Sequence, residues 1–84
     1  MQLHDLDISN TTPSLTRFEA MRMFVDHPSL QGLGVRFLEC SVDRDHAIVW
    51  WSVDVFDPYA DPDQDQLGFA TFAEHWPVID ITWA

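Results

Sequence analysis

The chain has 84 residues, with four arginines, no lysine, one cysteine and fourteen acids, eleven of them aspartate, for a formal net charge of −10. That balance excludes direct binding to nucleic acid, which needs basic side chains against the phosphates, and docking on anionic membranes, while the lone cysteine excludes an internal disulfide. Hydrophobic residues make up 46% of the chain, 13% of it aromatic, which is enough for a packed core, so one domain over residues 1–84 is expected.

Gln2 to Ser9 alternates, with Leu6 and Ile8 on one face, and is predicted as a short first strand. Asn10-Thr11-Thr12-Pro13 is turn chemistry leading into a helix, with Thr12 as the cap and Pro13 in the first position. That helix is predicted to run to about His27, with Leu15, Phe18, Met21, Phe24 and Val25 forming one apolar stripe. Pro28 stops it. Ser29 to Gly34 is a connection with room for a helical turn around Leu30.

Gly34 to Asp57 reads as a β-hairpin, because two runs of β-branched and aromatic residues flank the polar Asp43-Arg44-Asp45-His46. A two-residue loop at Arg44-Asp45 would pair Asp43 with His46, Val42 with Ala47, Cys40 with Val49 and Leu38 with Trp51. One face then carries Leu38, Cys40, Val42, Ala47, Val49, Trp51, Val53 and Val55 and is the expected core face. The other carries Val35, Phe37, Glu39, Ser41, Ile48, Trp50, Ser52 and Asp54, a mixed surface on which Phe37, Ile48 and Trp50 make an apolar patch, expected either to be covered by a loop or terminus or to meet a partner or a second copy.

An acidic stretch follows. Asp61-Pro62-Asp63-Gln64 has the form of a helix opening, and Leu67, Phe69, Ala70, Phe72, Ala73 and Trp76 would be the buried side of a second helix ended by Pro77. Val78 to Trp83 alternates as a last strand. The order β-α-β-β-α-β leads to the expectation of a ferredoxin-like α+β sandwich, an antiparallel sheet with two helices on one face.

Catalytic and metal signals are weak. His4, His27, His46 and His75 are scattered, without the spacing of a zinc site. Asp61, Asp63 and Asp65 match the first half of a calcium loop, but Gln66 and Phe72 stand where glycine and glutamate are required. Cys40 is expected to face the core, away from His46, so it lacks the partner of a nucleophile. No enzyme activity, cofactor or metal is expected.

The charge is the remaining signal. Asp54, Asp57, Asp61, Asp63 and Asp65 fall in a stretch without a base, and Asp43 and Asp45 form a second cluster at the hairpin tip. Carboxylates two residues apart on an extended chain are about 6.6 Å apart, a scale compatible with the roughly 3.4 Å advance between phosphates. The expected function is that of a small acidic inhibitor bound to a basic surface of a nucleic-acid enzyme or effector complex. In size and charge it is similar in type to DNA mimics that block restriction or CRISPR enzymes. The expected contacts are Asp57, Asp61, Asp63, Asp65, Asp43 and Asp45 for charge, with Tyr59 and Trp50 as aromatic anchors. The alternatives are an immunity protein or antitoxin against a basic toxin, and a small domain adapted to high salt. The opening residues carry neither a basic region nor an apolar core, and the longest apolar run, Ala47 to Trp51, falls far short of the ~20 residues of a membrane helix. A cytoplasmic monomer or weak homodimer is therefore expected, in the host cell if the gene is phage-borne.

Overall fold

The computed structural model describes residues 11–60 and 66–84. Among them are one α-helix, α1 (Arg17–Val25), a 3-10 turn (Pro28–Leu30) and four strands, β1 (Gly34–Asp43), β2 (Ile48–Phe56), β3 (Gly68–Ala73) and β4 (Trp76–Trp83). The strands form one antiparallel sheet in the order β1-β2-β3-β4, each beside its neighbour in sequence. The ferredoxin-like expectation is thereby overturned: residues 67–76, predicted as a second covering helix, hold β3, the turn at 74 and 75 and the first residue of β4, and the sheet is a meander. The predicted first strand at Gln2 to Ser9 and the predicted helix opening at Asp61, Asp63 and Asp65 lie outside the described residues.

The second helix fails for reasons of local chemistry. Gly68 to Ala73 carries phenylalanine and threonine, which suit a pleated surface, and its burial follows a strand: Gly68, Ala70 and Phe72 are buried, while Phe69 is exposed. A Cβ at Gly68 would collide with the backbone at Thr82 and Trp83, so glycine permits the close approach of β3 to β4. Residues 74 and 75 close the hairpin, with Ala73 opposite Trp76.

The β1–β2 hairpin forms with a four-residue loop, residues 44–47, instead of two. Asp43 pairs with Ile48, Val42 with Val49 and Cys40 with Trp51, a register two residues away from the expected one. A slip of two leaves each side chain on its own face, so Cys40, Val42, Val49, Trp51, Val53 and Val55 share the core side. A register irregularity between Arg36 and Glu39 does change faces: Val35 lies opposite Val55 and packs against the core, where the unbroken alternation placed it on the mixed face.

The helix starts later than Pro13. The Thr16 hydroxyl accepts from the Glu19 N–H at 3.1 Å, and Glu19 Oε1 accepts from the Thr16 N–H at 2.9 Å, a reciprocal capping box. Ala20 and Phe24, four residues apart, are the row that meets the sheet. Phe18 sits about 200° around the helix from Ala20 and is 71% exposed, so it is not part of the buried stripe. Val25 is exposed as well.

The core joins Ala20, Phe24 and Leu30 to Val49, Trp51, Val53, Val55, Ala70 and Phe72. The Phe24 and Phe72 rings are tilted with centroids 5.1 Å apart, a favourable aromatic geometry. An Arg17 guanidinium nitrogen donates to the Leu38 carbonyl at 3.0 Å and ties the start of α1 to β1. Because α1 lies on this side only, the opposite face of the sheet has no described helix over it.

Candidate partner-binding face

Strand pairing lays out the open face as rows across the sheet. Ser41, Trp50, Ala73 and Trp76 form one row. Glu39, Ser52, Thr71 and Asp80 form the next, and Arg36, Asp54, Phe69 and Thr82 the one after it. Aromatic rows thus bracket a row with a carboxylate at each end. Trp50, Phe69, Trp76 and Phe37 keep 40%, 44%, 69% and 67% of their surface exposed, more than a sheet needs to leave in water. Glu39 and Asp80 are exposed and Asp54 is half-buried.

At one corner Arg36 stacks on two rings. Its guanidinium carbon is 4.6 Å from the Phe56 centroid and 5.1 Å from that of Phe37, both within cation–π range. Arg36 Nε is buried without a hydrogen-bond partner among the described residues. The Phe56 ring in turn lies over Gly34, its cross-strand partner, filling space that a side chain there would take. Phe37 sits at the irregularity in β1 with φ 58°, a left-handed backbone that a bulky residue rarely adopts. Between Phe37 and Phe69 is a recess of about 330 Å³, lined also by Glu39, Ser52, Val53 and Asp54.

Among the described residues, the acids expected from the sequence are not gathered into one patch. Asp43 turns back into its own loop: Oδ1 accepts from the N–H groups of Asp45 and His46, and Oδ2 lies 2.9 Å from His46 Nδ1. The His46 hydrogen bond is the main force holding the Asp43 carboxyl below its usual range. Asp45 is exposed beside it. Asp57 Oδ1 accepts from the Tyr59 N–H at 2.9 Å, so that acid also organises its own turn, and Tyr59 is almost wholly exposed. These two clusters lie at opposite ends of β2, whose nine residues span about 30 Å. Of the expected contacts among the described residues, Trp50 stands on the open face, and Asp43, opposite Ile48, ends that side of β1 with its carboxylate turned into the loop. Asp61, Asp63 and Asp65 are outside the described residues.

Glu74 is the residue that sequence reasoning passed over. Its carboxylate accepts from the Ser14 N–H at 2.8 Å, the Leu15 N–H at 3.0 Å and the Trp51 indole at 2.8 Å. Partial burial pushes this carboxyl up, but the three donors outweigh it and the net shift is downward. Glu74 therefore clamps the approach to α1 onto Trp51, the largest buried side chain of the sheet. No sequence signal connects positions some sixty residues apart. A hollow of about 550 Å³ opens beside it, between Leu15, Met23, Val49, His75 and Pro77.

Cys40 is half-buried, and burial, then the charge of Glu74, push its thiol above the ordinary 9.0 against a weaker pull from Arg17. It is a thiol at neutral pH and a poor nucleophile. No three His, Cys, Asp or Glu side chains converge to hold a metal, and no helix is long and apolar enough to cross a membrane, among the described residues.

The fold and this face define a four-stranded antiparallel meander, covered by a short helix on one side and presenting aromatics and acids on the other. The chain matches no family model, no curated protein and no solved structure at a significant level.

Proposed function

We propose that the protein is a non-catalytic inhibitor in the cytoplasm, docking the open face of its sheet onto a basic, nucleic-acid-binding surface of another protein. The observation that carries this is the alternation of exposed rings with carboxylates on one face: Trp50 and Trp76, then Glu39 and Asp80, then Asp54 with Phe69 and Phe37. Aromatic anchors supply contact area and the acids supply complementarity to arginine- or lysine-rich surfaces. A net charge of −10 adds long-range attraction toward such a target. The acidity would let the protein compete with DNA or RNA for its site. A toxin's basic active surface is the second target this face suits, with Trp50 as the anchor of an immunity protein.

The test is capture of partners from the source's host, washed at stepped salt. Recovery of one nucleic-acid enzyme, released as salt rises and displaced by added DNA or RNA, supports inhibition by competition. Recovery of one cognate toxin moves the target to the second class. A variant with Glu39→Gln, Asp54→Asn and Asp80→Asn should bind on the order of tenfold or more weakly, chiefly through slower association. If that variant and Trp50→Ser both bind as tightly as the parent, the open face is not the docking surface.

A further inference from the structure

We infer that the recess between Phe37 and Phe69 receives one arginine side chain of the partner, an inference that rests on the docking face proposed above. The hollow holds about 330 Å³, the lower end of the range for ligand pockets. It fits a single long side chain and is small for a drug-sized cofactor. Its walls are two phenylalanine rings that the core does not use, 67% and 44% exposed. Its rim carries two carboxylates: Glu39 stands opposite Ser52, and Asp54 lies two residues further along the same strand, about 7 Å away. Neither Glu39 nor Asp54 has an ion-pair partner among the described residues.

Each feature narrows the occupant. Two carboxylates repel an anion, and a wholly apolar group would leave them without partners. A cation is required, and the rings choose between the two kinds. Lysine brings a strongly hydrated point charge that gains little from an aromatic wall. A guanidinium is planar and weakly hydrated, stacks on phenylalanine, and directs donors to carboxylates on both of its edges. The protein already uses that chemistry next door, where the Arg36 guanidinium lies within 5.1 Å of the Phe37 centroid and within 4.6 Å of that of Phe56. The left-handed backbone at Phe37 belongs to the same arrangement. The irregular register of β1 there places a large ring at the mouth of the recess, at the expense of a conformation better suited to glycine.

The experiment titrates the full chain at low salt with oligo-arginine and oligo-lysine peptides of equal length and charge, following amide and side-chain resonances by NMR and affinity by calorimetry. The variants are Phe37→Gly, Phe69→Thr and Asp54→Asn. Phe37→Gly removes a ring where the backbone favours glycine, and Phe69→Thr keeps a good strand former, so both should fold; their melting curves check this. The expected result is an arginine preference of about tenfold, with shifts centred on Ser52, Val53, Asp54 and Phe69. In each folded variant the preference should shrink toward equality. Equal affinity for both peptides, unchanged in Phe37→Gly and Phe69→Thr, would overturn the arginine recess while leaving the basic-surface reading in place. Absence of binding to either peptide at low salt would overturn that reading and the recess with it.

Discussion

Glu74 shows how much one side chain can hold in a small fold. Its three donors come from two backbone N–H groups ahead of α1 and from the indole of buried Trp51. Removing the carboxylate leaves the partly buried Leu15 N–H and Trp51 indole short of an acceptor, while water reaches the exposed Ser14 N–H, so Glu74→Ala should lower stability by about 2–4 kcal/mol, and Glu74→Gln, which keeps one oxygen, by about 1–2 kcal/mol. The pH dependence has a definite sign. The Glu74 carboxyl in the folded protein titrates below its ordinary value of 4.5, so its contribution is fully present above that value and fades as pH falls through the depressed folded value. Relief of general acid–acid repulsion on acidification affects parent and variant alike. The difference in melting temperature between the parent and Glu74→Gln isolates the clamp, and it should be steady from neutral pH down to about 5 and shrink below about 4. Phe37 makes the opposite case. Changing it to glycine relieves a left-handed backbone worth about 1–2 kcal/mol, against added unfolded-state entropy of about 1 kcal/mol and loss of the Arg36 guanidinium's contact with the ring, worth about 0.5 kcal/mol at an exposed site. Thermal denaturation should therefore find stability nearly unchanged, while binding through the recess is lost.

At the scale of elements, the sequence was most readable where alternation was strict. Val49, Trp51, Val53 and Val55 declare a buried strand face, and they kept that face even though the loop is two residues longer than the pattern suggested. Residues 67–76 were misleading because Leu67, Phe69, Ala70, Phe72, Ala73 and Trp76 satisfy a helical stripe as well as a strand. The deciding fact, contact of Gly68 with the backbone of β4, is tertiary. The capping box of Thr16 and Glu19 was readable, yet Thr12 and Pro13 offered a competing start, and the choice went to Thr16 because Glu74 holds the N–H groups of Ser14 and Leu15. The site was half legible: alternation placed Trp50, Glu39 and Asp54 on the open face, but Phe69 and Trp76 were assigned to a helix and Asp80 to no role. Two substitutions test these element-level claims. Thr16→Ala should cost about 1 kcal/mol, as loss of a cap does. Gly68→Ala forces β3 and β4 apart against rigid backbone and should cost about 1–3 kcal/mol, read by chemical denaturation, with amide exchange quickening along β4.

At the scale of the whole molecule, the charge acts on folding and on binding with opposite signs. Fourteen acids against four arginines repel one another in the folded chain, and salt screens that repulsion, so added salt should raise the melting temperature. The same screening weakens attraction to a basic partner, so added salt should lower affinity and slow association. A protein whose acidity serves binding stays folded at low salt, where the attraction is greatest, because the core of Trp51, Phe24, Phe72 and their neighbours holds without counterions. Adaptation to a saline cytoplasm predicts something else: a chain that needs salt to fold and unfolds when it is withdrawn. Melting curves by circular dichroism and affinities for an arginine-rich peptide, taken over the same salt series, separate the two. A folded chain at low salt that binds most tightly there ties the charge to recognition. A chain that is unfolded at low salt and folds cooperatively as salt rises assigns the acids to salt adaptation, and the exposed rings of the open face would then be its remaining functional surface.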